Sequence, residues 1–218
     1  MTSNRCAAVT KTTLASASLG NVIGPEPAEP SKVSKTMRKP LWVLAAVLVA
    51  VGFTASGHAT ICSPTDSHVA FHASGPAGLA IEGTTPDLLV VEQDANLLVT
   101  VPLANLSTGI GLRDKHMKEK YLEVAKYPNA VLTVARSALK VPSSGEKVAT
   151  DAPGTLQLHG QLHPVTVHYE AKGDGGSIAT SGSVHVNMTD YGIQVPNYLG
   201  VTVKPEVDVT ASFRVADH

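Results

Sequence analysis

Eight of the nine histidines lie from residue 60 onward, and imidazole is the side chain here best suited to metal ligation or proton transfer. His159 and His163 stand four apart, and His168 follows. That spacing converges two rings on a helix. On a strand, positions i and i+4 share a face but lie roughly 13 Å apart. Gly160 and Pro164 imply a turn that would shorten the gap. His159, His168 and His185 all fall at polar positions of alternating segments, which makes them solvent-facing, and the sequence carries no tight spacing of the kind that marks zinc. The expectation is no metal site. A histidine-based enzyme, with or without a metal, remains as a rival and requires His159, His163 and His168 to cluster.

Covalent chemistry has less support. There is no glycine-flanked serine elbow, and Gly109-Ile110-Gly111 is too short for a dinucleotide fingerprint. Asp114 and His116 lie close in sequence but would point in different directions on a helix. Cys62 has no cysteine partner downstream of it, so it reads as a stray thiol and not as half of a staple. No catalytic residue and no cofactor is expected.

The elements that must carry these residues are strands. Apolar residues alternate in Val69/Phe71, Leu79/Ile81, Leu97/Val99/Val101, Leu132/Val134, Leu156/Leu158, Val165/Val167/Tyr169, Val184/Val186/Met188 and Val207/Val209/Ala211/Phe213/Val215. Between them stand polar residues such as His68, Glu82, His168, His185, Asp208 and Arg214, so each strand has one apolar face. The continuous run Leu88–Val91 leaves its phase open. Turn chemistry is read at Ser143–Glu146, Ala152-Pro153-Gly154 and Gly173–Gly176. Short strands with one apolar face and no covering helical layer fit an antiparallel barrel, which buries all those faces together. One charged segment, residues 112–127, shows Met117, Tyr121, Leu122 and Ala125 at helical spacing. Asp114 is its expected N-cap and Pro128 its stop.

The N-terminal third reads differently. Residues 1–36 are rich in Ser, Thr, Ala and Pro without a period, which reads as disorder, and Met37 is the expected start of translation. Residues 37–59 have the form of a secretory signal: Arg38 and Lys39, then 13 uncharged residues from Leu41 to Phe53, then small residues before a cut after Ala59. That run is shorter than the roughly 20 residues of a membrane span, so no stable transmembrane anchor is expected. Residues 60–66 would be a tail and 67–216 the β domain, in a periplasmic or secreted protein. From Thr60 onward there are 11 Lys and Arg against 16 Asp and Glu, a formal charge of −5, which argues against a nucleic-acid partner and against a polybasic membrane surface.

The pieces also occur in a telling order. Leu106-Ser107-Thr108-Gly109 is followed by Leu112-Arg113-Asp114-Lys115-His116-Met117 and then by Tyr121–Pro128. Further on come Gly154–Gly160, Pro164–Val167, Asp190-Tyr191-Gly192-Ile193 and the final strand Val207–Val215. From about Ser67 to Ala216 this arrangement resembles the YceI-like family. The resemblance implies a lipocalin-like barrel of about eight strands in bacterial periplasmic or secreted proteins. It further implies a non-enzymatic role, holding a polyisoprenoid, quinone-like or other lipid inside the barrel. Only 4% of the residues are aromatic, so such a pocket would be lined mainly by Val, Leu and Ile.

On this reading the ligand-facing interior is formed by Val69, Phe71, Leu79, Ile81, Leu97, Val99, Val101, Leu132, Val134, Val165, Val167, Val184, Val186, Val209 and Phe213. Arg113 and His116 would guard a mouth and meet a polar head group. An Arg113–Asp114 ion pair that merely fixes the segment is the alternative for that pair. For the whole domain the alternative is a fully packed barrel that serves as a scaffold for another protein.

Overall fold

Alternation from Thr65 onward produces strands wherever turn residues interrupt it. In the computed structural model the described residues are 7–9, 59–62, 64–198 and 201–216. The strands are β1 (Ala7–Val9), β2 (Ala59–Cys62), β3 (Thr65–Ser74), β4 (Ala80–Thr85), β5 (Leu89–Gln93), β6 (Asn96–Pro102), β7 (Asn129–Ala135), β8 (Lys147–Leu158), β9 (Gln161–Gly173), β10 (Ser177–Asn187), β11 (Asn197–Tyr198), β12 (Val201–Thr202) and β13 (Glu206–Ala216). One short helix, α1, spans Gly111–His116. Among the described residues no helix is long and apolar enough to cross a membrane.

All ladders between these strands are antiparallel, and the 11-stranded sheet runs β1-β2-β5-β6-β7-β8-β9-β10-β13-β3-β4. The expected count of about eight is exceeded partly because β1 and β2 extend the edge at β5. Residues expected as a tail (60–66) therefore enter the sheet, and three residues of the segment expected to be disordered pair with Ala59–Ile61. An open strand edge recruits backbone whatever its side chains, so no period announced this pairing. The rest of the proposed signal lies outside the described residues.

The sheet curls until its inner faces meet. Val69 of β3 packs in one cluster with Val90 of β5 and with Val99, Val209 and Phe213. β4 and β5 stand far apart in the ladder order yet are consecutive in the chain, joined by Pro86–Leu88. The backbone bridge from Thr84 to Ser107 ties β4 to the segment that follows β6. The result is the expected antiparallel, lipocalin-like architecture.

Local chemistry explains where the turns fall. Asp94-Ala95 and His159-Gly160 both have two consecutive positive φ values (49° and 63°, 50° and 75°), the geometry of two-residue hairpin loops. Ala152-Pro153-Gly154 is not a turn. It lies inside β8, with Ala152 fully buried and Pro153 one residue past the last pair with β7, where its missing N–H costs no ladder bond on that side. The run Leu88–Val91 alternates after all: Leu88 and Val90 are buried and Leu89 is exposed.

The helical excursion is shorter than the pattern implied. After α1 comes one wide turn, Met117–Tyr121, in which the Leu122 N–H donates to the Met117 carbonyl oxygen. The helix stops before Pro128, at Glu123, whose φ is 44°. Asp114 is not the N-cap, a position held by Ile110.

Candidate functional site: an apolar cavity through the barrel

The inner faces do not fill the space they enclose. They leave a cavity of about 1210 Å³ lined chiefly by Val, Leu, Ile and Ala. Its length is defined by the strand registers. One end lies beside α1, where Leu79, Ile81, Val101, Leu158, Val186, Met188, Ile193 and Val203 line it. The other lies beneath the β5–β6 and β9–β10 turns, lined by Leu139, Val141, Tyr169, Ala171, Ile178 and Val215. A fully packed scaffold barrel is not what the chain forms.

Fourteen of the fifteen residues expected to face the interior line this cavity: Val69, Phe71, Leu79, Ile81, Leu97, Val99, Val101, Leu132, Val134, Val167, Val184, Val186, Val209 and Phe213. Val165 does not line it and packs instead against the cluster of Val134, Ala152, Val167, Tyr169 and Ala171. Sequence reasoning missed Val90, Leu103, Leu106, Tyr121 and Ile193, which also line it. Val90 sat in a run of unclear phase, Tyr121 lies in the helical turn Met117–Tyr121, and Leu103, Leu106 and Ile193 lie in loops, where period two carries no signal.

Small residues shape the walls. Phe71 on β3 lies over Gly83 on β4, where a Cβ would stand 2.2 Å from Phe71 Cε1. Gly182 on β10 lines the cavity between Tyr169 and Ala211 of the neighbouring strands.

Polar groups gather at the two ends. At the α1 end Arg113, His116 and Lys120 line the mouth. Arg113 donates from Nε to Thr108 Oγ1 and from Nη2 to the Thr108 carbonyl oxygen, each at 2.8 Å. Asp114 accepts from the Thr108 N–H and the Ser107 hydroxyl, both at 2.7 Å, and from the Thr108 hydroxyl. Arg113 and Asp114 thus both grip Thr108 and form no ion pair with each other. The Thr108 hydroxyl bond, opposed by partial burial and assisted by Ser107, holds the Asp114 carboxyl below its usual pKa of 3.8. At the opposite end Arg136 pairs with Glu92 (3.6 Å), and Lys140 stands near them on the lining.

The histidines have separate settings. His159 is not solvent-facing: as a hairpin-loop residue it leaves the strand alternation, and its side chain is only 14% exposed. Its Nδ1 lies 3.0 Å from the Tyr191 carbonyl oxygen and its Nε2 3.0 Å from Glu123 Oε2, and the ring tilts against Tyr127. His163 meets the Tyr191 ring edge-on. His168 and His185 do stand on the outer wall, paired with Asp151 (2.6 Å) and Asp208 (2.7 Å) on adjacent strands. The cluster required by a histidine enzyme is therefore not formed by His159, His163 and His168.

Comparison with known proteins agrees with this geometry. Residues 62–215 match the family model described as "YceI-like domain". A UPF0312 protein of Pseudomonas putida (strain W619) is 30% identical over 122 residues, which are 53% of this chain and 61% of the relative. One from Photorhabdus laumondii is 37% identical over 78 residues, 35% of this chain and 38% of that protein. The chain thus spans about three fifths or less of the length of these relatives. Among solved structures, a polyisoprenoid binding domain from Saccharophagus degradans, implicated in plant cell wall breakdown, superposes with a TM-score of 0.61. It is 19% identical, over 72% of this chain and 98% of that one. BcnA of Burkholderia cenocepacia gives 0.55 at 17% identity, over 68% and 95%. At these identities the structural likeness concerns the fold.

Proposed function

The chain belongs to the YceI-like domain family, and from that premise we propose that it is an exported, non-enzymatic carrier of a polyisoprenoid or similar long-chain lipid. The observation that carries the reading is the cavity. Its volume of about 1210 Å³ exceeds the roughly 300–1,000 Å³ of ordinary small-molecule pockets. Its wall is chiefly aliphatic carbon along the barrel, with Phe71, Tyr169 and Phe213 set among the Val, Leu, Ile and Ala side chains. Each buried methylene contributes about 0.8 kcal/mol, so a branched hydrocarbon chain gains affinity with every unit it places inside. The name of the Saccharophagus degradans domain supports a polyisoprenoid as that chain. Arg113 and His116, with Lys120, supply donors for a polar head at the α1 mouth.

Native mass spectrometry of gently purified protein tests the ligand. The expected result is a bound species with the mass of a polyisoprenoid or quinone-like lipid. A protein that emerges empty and takes up neither a polyprenol nor an isoprenoid quinone would overturn the reading. N-terminal sequencing of the exported protein tests the leader, with Thr60 as the expected first residue.

A further inference from the structure

The rim at the α1 end is both apolar and basic. Ile110 (52% exposed) and Leu112 (65%) stand at the head of α1, and Val201 (42%) stands on the β11–β12 hairpin. All three also line the cavity, so its apolar wall continues onto the outer surface. Clustered exposed aliphatic side chains at an opening mark a surface that something covers. The adjoining segment, Gly111–Tyr127, carries Arg113, Lys115, Lys118, Lys120 and Lys126 against three acids. Two of those acids are engaged within the fold, Asp114 by Ser107 and Thr108 and Glu123 by His159. A basic rim on a domain of net charge −5 is a local reversal of sign.

We propose that this end docks on an anionic lipid bilayer. Ile110, Leu112 and Val201 enter the boundary between head groups and acyl chains, while Lys115 and Lys118 meet lipid phosphates. A chain leaving the cavity then passes into the membrane without crossing water. This rests on the lipid-carrier reading for its purpose, although the docking itself can be measured independently.

The test is flotation of the exported protein, freed of its leader, with vesicles of phosphatidylcholine, with and without phosphatidylglycerol. Binding to the anionic vesicles is expected to be roughly tenfold or more tighter and to fall as salt is raised. Lys115→Glu and Lys118→Glu together should weaken it by at least about tenfold, at roughly one basic-residue contribution each. Leu112→Asp should weaken it on vesicles of either charge, and Lys172→Glu, at the opposite end of the barrel, should leave it unchanged. Equal binding to both vesicle types, no binding, or indifference to the lysine pair would overturn the proposal. So would a dimer in vesicle-free solution that Leu112→Asp dissolves, which would assign the rim to a second copy. Uptake of a fluorescent polyprenol analogue is measured alongside. Uptake without vesicle binding removes the docking and keeps the carrier reading, whereas vesicle binding without uptake does the reverse.

Discussion

His159 Nε2 lies 3.0 Å from Glu123 Oε2, joining the β8–β9 hairpin loop to the residue that ends the helical excursion. Through Nδ1 the same ring reaches the Tyr191 carbonyl oxygen, so three separate chain segments meet on one imidazole at the α1 end. Both Glu123 and His159 have positive φ, and the side-chain contact secures two backbone conformations that cost free energy locally. His159→Asn tolerates the same φ but cannot span both partners. It should destabilise the fold by about 1–3 kcal/mol, chiefly the cost of stranding the carbonyl oxygen of the buried Tyr191, since Glu123, 45% exposed, can turn to water. Urea unfolding measures this, and a faster release of bound lipid should accompany it. Unchanged stability would show that the clasp contributes nothing.

Asp114 sets an acid limit. Its folded pKa lies below the ordinary 3.8, first because the Thr108 hydroxyl donates to it. A depressed carboxyl binds fewer protons folded than unfolded, so its contribution is present above the unfolded pKa and is lost as pH falls through the folded one. The wild type should therefore lose stability as pH drops below about 4, and Asp114→Asn should flatten that part of the profile. Thermal unfolding between neutral pH and pH 3 checks it. An identical slope in the variant would refute the assignment.

Gly83 tests how closely the wall is fitted. An added Cβ would lie 2.2 Å from Phe71 Cε1, so Gly83→Ala must push the ring aside. Because Phe71 lines the cavity, the ring can move inward, at a cost of about 1–3 kcal/mol for overpacking. The double change Gly83→Ala/Phe71→Leu should recover most of that loss. Melting temperatures of Gly83→Ala, Phe71→Leu and the double variant decide it.

These cases show what the residue pattern could reveal. Alternation at Val99, Leu132, Val184 and Val209 identified the inner wall because a strand permits only two faces. It said nothing of whether the opposing walls would touch, since cavity volume depends on curl and strand register. His159 was misplaced because it is the first loop residue after Leu158, where the two-residue period stops. Ala152-Pro153-Gly154 looked like a turn by composition, yet the long pairing of β8 with β9 overrode those local preferences. Arg113 and Asp114 could be read as a pair from adjacency alone. Only the fold shows that Thr108 stands between them.

Gly182 offers the sharpest test of the cavity. It lines the open space, its φ is not in the left-handed region, and a Cβ there would meet nothing closer than the His168 carbonyl oxygen at 3.4 Å. A large side chain at this point therefore enters the cavity without straining the backbone. Gly182→Phe should leave the protein folded, and filling an empty apolar space commonly adds about 0.5–2 kcal/mol. The same ring would occupy the path of any chain threading the barrel. Lipid uptake should fall at least tenfold while the melting temperature holds or rises, the opposite pairing to that of an unfolding mutation. A stable Gly182→Phe variant that still carries lipid at wild-type affinity would place the ligand somewhere other than this cavity.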